Sequence, residues 1–249
     1  MLHPFFASTR PLVFAHRGGG ALAPENTMAA FDNGLALGAD GIELDVRLSR
    51  DGVVVVHHDR TLGRTTTLEG AVAARTADEL CRAGVPTLAS VLAAYRDTRV
   101  IVELKLNHRE LAAAAVGTIR DAGAVDRVCV GSFGYLALRA VRALEPALAT
   151  SAAREEVRWA LYRSKLRWPV GPRKYHGYQV PEFAGPTRVI SERFIRHAHG
   201  AGLGVQAWTI DTVGDARRLI AWGVDGLITD RPDLIVPVAH AAHPAAADA

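Results

Sequence analysis

Side chains capable of metal binding and acid–base catalysis are concentrated in one short stretch, GIELDVRLSRDGVVVVHHD at residues 41–59. Glu43 and Asp45 alternate along a strand-like run, so both carboxylates point to the same side of the strand. Oxygen ligands of this kind suit Mg²⁺ or Ca²⁺ better than zinc. His58 ends the next run, and an imidazole can transfer protons near neutral pH. The stretch therefore predicts a divalent-cation site with a histidine beside it.

Two further strand-like runs end in residues of the same chemical kinds. The run VFAH ends in His16, which Arg17 follows, and the run VIVELK contains Glu103 and ends in Lys105. Glu103 would give the cation a third carboxylate ligand. His16 would add a second imidazole, so that His16 and His58 could divide the roles of general acid and general base. Arg17 and Lys105 are cations suited to binding a phosphate group.

The elements that must position these residues alternate along the chain as strand and helix, which is typical of repeated βα units around a parallel sheet. Nine strand-like runs are present, at 13–16, 41–46, 53–58, 100–105, 128–133, 148–152, 177–180, 204–209 and 226–229. The third run cannot be a parallel neighbour of the second, because only Ser49–Gly52 separates them. We therefore predict an α/β fold, an eight-stranded (β/α)8 TIM barrel, whose second strand continues into a β-hairpin at about 46–58.

This topology predicts where the polar residues meet. In a TIM barrel, functional side chains lie at the C-terminal ends of the strands. The hairpin places residues near 56–58 opposite residues near 43–45, so we expect His58 to return to the carboxylates. His57 should face the other way and be structural. The next stretch, about 60–99, is predicted to form a short insertion with one helix after VPTLASVL.

Length and composition predict a single domain. The chain has 249 residues, 49% of them hydrophobic, which is the usual size for one TIM barrel. We predict one domain over 1–249, with a core at about 12–236 and an Ala-rich flexible tail at 237–249. Helical spacing of apolar residues predicts six outer helices, at 25–37, 108–122, 134–144, 154–166, 191–201 and 213–222.

Charge and hydropathy argue against several classes of function. No apolar run reaches the roughly 18 residues of a membrane span, and the absence of a signal-like N-terminus favours the cytoplasm. The net charge is only +3 and Arg is scattered along the chain, whereas nucleic-acid binding needs basic residues on one face. We therefore expect a small anionic substrate and no nucleic acid. The two cysteines lie in unrelated contexts and predict neither a disulfide nor a thiolate metal site.

Six blocks of the sequence resemble, in order, the signature blocks of the glycerophosphodiester phosphodiesterases of the TIM-barrel phosphodiesterase superfamily. They are AHRGGGALAPENT, GIELDVRLSRDGVVVVHHD, IVELK, VGSF, VQAWTID and GVDGLITDRPD. The resemblance runs from about residue 13 to residue 235. It implies a metal-dependent enzyme, using one Mg²⁺ or Ca²⁺, that hydrolyses glycerophosphodiesters to sn-glycerol 3-phosphate and an alcohol.

The resemblance also implies a role for each matched residue. It adds Trp208, at the end of the seventh barrel strand, as a wall of the glycerol pocket, and Glu25 as a support for the first-strand loop or the metal. The complete set is His16 and His58 as the catalytic pair, Glu43, Asp45 and Glu103 as metal ligands, Arg17, Lys105 and Trp208 as phosphate or substrate ligands, and Glu25 as a supporting residue.

Two other functions stay open at the level of sequence. Residues 154–178 place Trp159, Tyr162, Leu166 and Trp168 among Arg and Lys side chains. Such a stretch can lie at a lipid surface, which would suit peripheral membrane contact and a lysophospholipase D-type activity on lipid phosphodiesters. The alternative for this stretch is an ordinary outer helix followed by a basic loop. From a different class, a silent barrel could bind metal and phosphate ligands without catalysis, although binding alone needs no acid and base.

Overall fold

Eleven strands are present in the computed structural model, which describes residues 2–242. They are β1 (Leu12–His16), β2 (Gly41–Leu48), β3 (Val54–Val56), β4 (Arg99–Leu104), β5 (Val128–Gly131), β6 (Ala149–Thr150), β7 (Gly177–Pro181), β8 (Phe183–Ala184), β9 (Thr187–Arg188), β10 (Gly204–Trp208) and β11 (Gly226–Thr229). Eight of them form a parallel sheet in the order β6, β5, β4, β2, β1, β11, β10, β7. A single bridge between Ser151 and Gly177 joins its two ends. The predicted TIM barrel is confirmed.

The strands are connected by nine α-helices within the described residues. They are α1 (Met28–Ala36), α2 (Ala77–Arg82), α3 (Leu88–Ala94), α4 (Arg109–Asp121), α5 (Tyr135–Leu144), α6 (Arg154–Leu166), α7 (Glu192–His199), α8 (Val213–Trp222) and α9 (Pro232–Ala241). The six predicted outer helices are all present, within three residues of their predicted bounds. Among residues 2–242, no helix combines the length and the apolar character that crossing a bilayer requires.

The hairpin after the second strand forms as predicted. β3 pairs antiparallel with β2, with Val46 opposite Val56. The His57 N–H donates to the Asp45 carbonyl at 2.8 Å, which continues the ladder by one residue towards the barrel mouth. The side chain of His57 is buried and its Nε2 lies 3.1 Å from the Thr61 carbonyl. His58 is thereby carried back beside β2, and His57 packs away from it.

The insertion between the hairpin and β4 contains one helix more than predicted. α3 begins within VPTLASVL, at Leu88, and so starts earlier than predicted, and α2 precedes it. Thr76 and Glu79 form a capping box at its start, a signal that is readable in the sequence as T-x-x-E. The insertion has its own small apolar cluster, formed by Val55, Leu62, Val72, Leu80 and Val85.

The structure corrects the predicted start of the tail. α9 continues through Pro237 to Ala241, so the boundary predicted at 237 is too early. The helix persists because Ile235, Val236 and Ala239 are buried against the barrel, and this burial outweighs the hydrogen bond that a proline cannot donate. The rest of the predicted tail, 243–249, lies outside the described residues.

Phenylalanines close the N-terminal end of the barrel, which leaves the opposite end for the site. Phe6 packs against Gly177 and Gly204, where a Cβ atom would approach its ring to 2.6 and 2.7 Å. Phe5 stacks on Phe14 of β1, with ring centroids 5.8 Å apart. Two larger apolar clusters fill the space between the sheet and the helices. Side chains therefore fill the barrel interior from its N-terminal end, which leaves the C-terminal ends of the strands for the site.

Candidate active site

One cavity of about 900 Å³ opens at the C-terminal ends of the barrel strands. Eight of the nine predicted site residues line it, namely His16, Arg17, Glu43, Asp45, His58, Glu103, Lys105 and Trp208. Strands β1, β2, β4 and β10 and the end of the hairpin deliver these side chains. Parallel register sets this arrangement, because His16 pairs with Glu43 and Asp45 pairs with Glu103 on neighbouring strands.

Glu43 and Asp45 lie together at the buried end of β2 in different electrostatic environments. Burial raises the pKa of Glu43 to about 7, and repulsion from Asp45 adds to the shift. Burial would also raise the pKa of Asp45, but Lys105 and Arg17 lower it below its ordinary value. The protein therefore neutralises Asp45 by ion pairing and leaves Glu43 short of positive charge.

Glu103 is the least compensated carboxylate of the three. Burial raises its pKa to about 8; Lys105 opposes the shift, and Glu43 and Asp45 add to it. Its Oε1 atom is buried and has no hydrogen-bond partner. Gly131 on β5 makes room for this side chain, because a Cβ atom there would lie 2.5 Å from Glu103 Oε2.

The two predicted phosphate-binding cations converge on Asp45. Lys105 Nζ lies 2.7 Å from Asp45 Oδ1, and Arg17 Nε lies 3.1 Å from Asp45 Oδ2. Asn26 completes the shell by donating from Nδ2 to Asp45 Oδ2 at 2.9 Å. Arg17 and Asn26 both have positive φ angles, 53° and 58°, a conformation that costs a non-glycine residue about 1 kcal/mol. The loop after β1 is thus bent to present both side chains to Asp45.

The donor set has the chemistry of a site for a hard divalent cation, which the family implied by the sequence would use. The ligands are oxygens only, one of them lacks a partner, and two carboxylates are short of positive charge. Within residues 2–242, however, no three His, Cys, Asp or Glu side chains already lie close enough together to hold a metal ion. The residue types therefore suit a divalent cation, although the Asp45 carboxylate is paired with Lys105 and Arg17.

Each predicted catalytic histidine is held by an aspartate through Nδ1. His16 Nδ1 lies 2.8 Å from Asp230 Oδ1, and His58 Nδ1 lies 2.6 Å from Asp59 Oδ1. Burial would lower the pKa of His16, but Glu43 and Asp230 together raise it above its ordinary value. Arg47 fixes the His58 backbone by donating twice to its carbonyl oxygen, at 2.9 and 2.7 Å. Within the described residues neither Nε2 makes a hydrogen bond, although that of His16 lies 3.8 Å from Glu43 Oε2, so Nε2 is the nitrogen of each ring that can serve a substrate.

Glu25 lies outside the cavity lining and is joined to it through arginines. Arg17 Nη1 donates to Glu25 Oε1 at 3.1 Å. Arg64, from the insertion, donates to both Glu25 oxygens at 2.6 and 3.1 Å and to Asp59 Oδ2 at 2.5 Å. Glu25 therefore lies on the loop after β1, where Arg64 connects it to the partner of His58.

The sequence did not identify four supporting residues as functional candidates, although three of them lie inside the blocks that resemble the family. Asn26 belongs to PENT, Asp59 ends the HHD run, and Asp230 belongs to TDRPD. An Asp next to a candidate histidine was a readable signal for Asp59. Asp230 and Arg64 had no local signal, because their partners are distant in sequence and only the fold brings them together.

The far wall of the cavity is aromatic and continues to α6. The rings of Trp208 and Phe133 meet edge to face, with centroids 5.9 Å apart. The Arg154 guanidinium lies 5.2 Å from the centre of the Phe133 ring. Paired imidazoles, cations and carboxylates at the mouth of a TIM barrel, facing an aromatic wall, are typical of an enzyme that acts on phosphate esters.

Known proteins share this fold and sequence pattern. A model of the glycerophosphoryl diester phosphodiesterase family matches residues 16–234. A glycerophosphodiester phosphodiesterase of Caldanaerobacter subterraneus is 33% identical, over 91% of this chain and 97% of that protein. A probable glycerophosphodiester phosphodiesterase 2 of Mycobacterium tuberculosis is 36% identical, over 90% of this chain and 89% of that protein. An Oleispira antarctica phosphodiesterase, solved with the product sn-glycerol-3-phosphate, is 28% identical with a TM-score of 0.74, covering 92% of this chain and 96% of that one.

The chain belongs to the glycerophosphoryl diester phosphodiesterase family. It is an enzyme, a hydrolase of phosphodiesters built on a TIM barrel.

The ion pairs of Arg64 predict a local effect on the loop that follows His58. In Arg64→Ala, hydrogen exchange of backbone amides in the 57–66 segment should accelerate about fivefold, which corresponds to about 1 kcal/mol for the lost network. The measurement is exchange followed by mass spectrometry of peptides. Arg82→Ala, which removes an exposed pair with Asp78 on α2, is the matched control. Equal exchange in the two variants would show that Arg64 does not hold the loop.

Proposed function

We propose that the chain hydrolyses glycerophosphodiesters to sn-glycerol 3-phosphate and an alcohol, with a divalent cation and with His16 and His58 as general acid and base. One observation carries the proposal. Two imidazoles reach the same cavity by independent routes, and each has Nδ1 held by a carboxylate, which leaves Nε2 for proton transfer. The product bound to the Oleispira relative is the glycerol phosphate half of such a substrate.

The two histidines would complete the proton transfers of the reaction. One Nε2 would accept the proton of the attacking hydroxyl, from water or from the adjacent glycerol hydroxyl, as the new oxygen–phosphorus bond forms. The other Nε2 would donate a proton to the leaving alkoxide as its bond to phosphorus breaks. Asp230 and Asp59 would hold the rings in orientation and stabilise whichever imidazole is protonated.

The phosphate would be bound by the cations that now surround Asp45. Arg17 and Lys105 can donate to phosphate oxygens as well as to a carboxylate. Glu43, Asp45 and Glu103 would hold the divalent cation, Mg²⁺ or Ca²⁺, which when bound supplies positive charge to the phosphate oxygens. Trp208 would form the wall against which the glycerol carbons pack. Charge that develops on phosphorus-bound oxygens would then meet fixed positive groups.

A barrel that only binds ligands is the weaker interpretation of the same geometry. Binding a phosphate needs cations and donors, but it does not need two imidazoles that are each oriented through Nδ1. Asp230 orients His16 and Asp59 orients His58, and phosphate binding alone would not require either imidazole to be oriented in this way. The geometry therefore favours turnover.

Removal of metal ions tests the carboxylate site. Turnover of glycerophosphocholine should be lost in excess EDTA and return on addition of Mg²⁺ or Ca²⁺. Glu103→Gln should weaken binding of the restoring ion by at least about tenfold, as measured by calorimetric titration of the chelator-treated protein. Glu110→Gln, an exposed position on α4, should behave as wild type. Full activity in excess EDTA would reject the proposed metal dependence.

Substitution of each histidine tests the acid–base pair. His16→Ala and His58→Ala should each lower kcat by roughly 10²–10⁴, the range for loss of a general acid or base. The fold should be unchanged by circular dichroism, and the bell-shaped pH profile of the wild type should become one-sided. The exposed His108 provides the control, since His108→Ala should leave kcat unchanged. Near wild-type kcat in His58→Ala would remove it from the pair.

A lipid-directed activity is the second candidate, and the exposed surface of α6 favours it. Trp159, Tyr162 and Leu166 lie on that surface and are 66%, 58% and 54% exposed, while Ala160 and Ser164 face the barrel. These three side chains are thus exposed, with Tyr162 also at the edge of the cavity, while Val157 and Leu161 pack against the barrel core. Five basic side chains accompany them, namely Arg154, Arg158, Arg163, Lys165 and Arg167. An aromatic surface with basic neighbours suits contact with an anionic lipid surface, and repulsion between like charges disfavours contact with a second copy.

Vesicle binding tests this contact. The full chain should co-sediment with vesicles of phosphatidylglycerol and phosphatidylcholine, and added salt should weaken the binding. Combined replacement of Trp159, Tyr162 and Leu166 by Ala should reduce partitioning by about tenfold or more. Leu144→Ala, an exposed leucine at the end of α5, is the control. If the wild type and the triple variant both stay in the supernatant, α6 is an ordinary outer helix.

A further inference from the structure

Two polar side chains of the cavity take no part in the acid–base and phosphate chemistry proposed above. They belong to Gln179 on β7 and to Ser151, which directly follows β6, and both line the cavity. In the order of the eight barrel strands, β7 lies across from β2 and β6 lies across from β1. Gln179 and Ser151 therefore face the histidine and carboxylate side of the mouth from the opposite wall.

Gly131 of β5 opens a space on which three side-chain oxygens converge. A Cβ atom at this position would lie 2.5 Å from Glu103 Oε2, 3.0 Å from Gln179 Oε1 and 3.5 Å from Ser151 Oγ. Gln179 Oε1 can only accept hydrogen bonds, whereas Ser151 Oγ can both donate and accept. Within residues 2–242, no hydrogen bond joins either of these two oxygens to another group. A ligand hydroxyl has the matching properties, because it can donate to one and accept from the other.

The orientation of the Gln179 amide is set by Gln206 on the neighbouring strand. Gln179 Nε2 donates to Gln206 Oε1 at 2.9 Å, which leaves Gln179 Oε1 directed to the space at Gly131. Gln206 is fully buried and its own Nε2 has no partner, although the cluster that fills the barrel interior is otherwise apolar. A buried amide that loses a hydrogen bond destabilises the fold. Orienting the Gln179 amide gives this residue a function that a buried apolar side chain could not perform.

The position of Ser151 is fixed through its backbone. Its N–H donates to the Val130 carbonyl at 3.0 Å, and Arg142 Nη2 donates to its own carbonyl at 2.9 Å. Arg142 is itself buried and paired with Glu156. Both side chains thus project from strands or from a residue bonded to strands. Groups held in this way lose little freedom when a ligand binds them.

The place of these oxygens in the cavity indicates which part of a substrate they would meet. In the proposed function the phosphate lies near Arg17 and Lys105, and the glycerol carbons pack on Trp208. Gln179 lies on the strand beside Trp208, since Pro181 pairs with Trp208 in register. The terminal hydroxyl is the glycerol group farthest from the phosphate. It is therefore the group that can reach the wall opposite the phosphate site.

We propose that Gln179 and Ser151 bind the free terminal hydroxyl of the glycerol half of the substrate and so determine specificity for that hydroxyl. The proposal rests on the phosphodiesterase function proposed above and names further residues of the same site. Gln206 is a positioning residue that acts through Gln179. A site built to hydrogen-bond a hydroxyl rejects an analogue without it, because the polar groups of the site are then left unpaired.

A pair of substrates tests the hydroxyl site. The parameter kcat/KM is measured for glycerophosphocholine and for propanediol phosphocholine, which keeps the hydroxyl beside the phosphate-bearing carbon and has a methyl group in place of the terminal hydroxymethyl. In the wild type, glycerophosphocholine should be favoured by about ten- to hundredfold, the range for leaving buried polar groups unpaired. Gln179→Met keeps the length of the side chain and removes its amide. In this variant the preference should fall to about threefold or less, because kcat/KM falls for glycerophosphocholine alone.

Three more variants check the assignment. Ser151→Ala removes the second hydrogen-bond partner and should lower the preference by about threefold or more. Gln206→Met should lower the preference as well, since Gln179 loses the group that orients it. Thr187→Val removes a hydroxyl from the exposed edge of the cavity lining and should leave the preference unchanged. Circular dichroism checks the fold of each variant, and Ser151→Ala carries the test if Gln179→Met does not fold.

The outcomes separate this proposal from the function on which it rests. If the wild type hydrolyses both phosphodiesters with equal kcat/KM, the hydroxyl site is wrong and the phosphodiesterase function stands. Equal losses for both substrates in Gln179→Met and Ser151→Ala would also overturn it, because they would show an effect on the catalytic side rather than on the hydroxyl. If neither phosphodiester is hydrolysed, the proposed function and the hydroxyl site that rests on it both fail.

Discussion

The burial of three carboxylates at one barrel mouth is the constraint on which the rest of the site depends. Parallel barrel strands are covered on both faces, so charges at their ends lose water and repel one another. Here Glu43, Asp45 and Glu103 come from two neighbouring strands. Arg17, Lys105 and Asn26 all converge on Asp45, and Glu43 and Glu103 keep pKa values raised to about 7 and about 8. The site therefore lacks the positive charge needed to neutralise all three carboxylates.

The loops around the barrel mouth supply side chains that pair with this negative charge. The loop after β1 adopts positive φ angles at Arg17 and Asn26 and so reaches Asp45. The insertion contributes Arg64, which connects Glu25 to Asp59. A chain of alternating carboxylates and guanidinium groups thus runs from Asp45 to the partner of His58. Such a network holds separate segments in one geometry more firmly than isolated surface pairs do.

The two sides of the cavity have opposite character, and this division links the site to its proposed substrates. The side formed by β1, β2 and β4 is charged and would bind the phosphodiester in the proposed function. The side formed by α6 and β7 is mainly apolar, with Arg154, Arg158 and Lys165 of α6 also in its lining, and its aromatic edge begins at Trp208 and Phe133. The outer surface of the same helix exposes Trp159 and Tyr162. α6 therefore lines the cavity and also exposes aromatic side chains, and Tyr162 belongs to both surfaces.

The barrel, the hairpin and the identity of the charged side chains could be predicted from the sequence, because these features follow from local pattern. The short Ser49–Gly52 link forces an antiparallel pair, and i, i+2 spacing directs Glu43 and Asp45 to one side. The pairing of charged groups could not be predicted, because it depends on how the chain folds. The contacts of Asp230 with His16 and of Arg64 with Glu25 join residues far apart in the chain. Local spacing carries no information about such distances, since packing sets them.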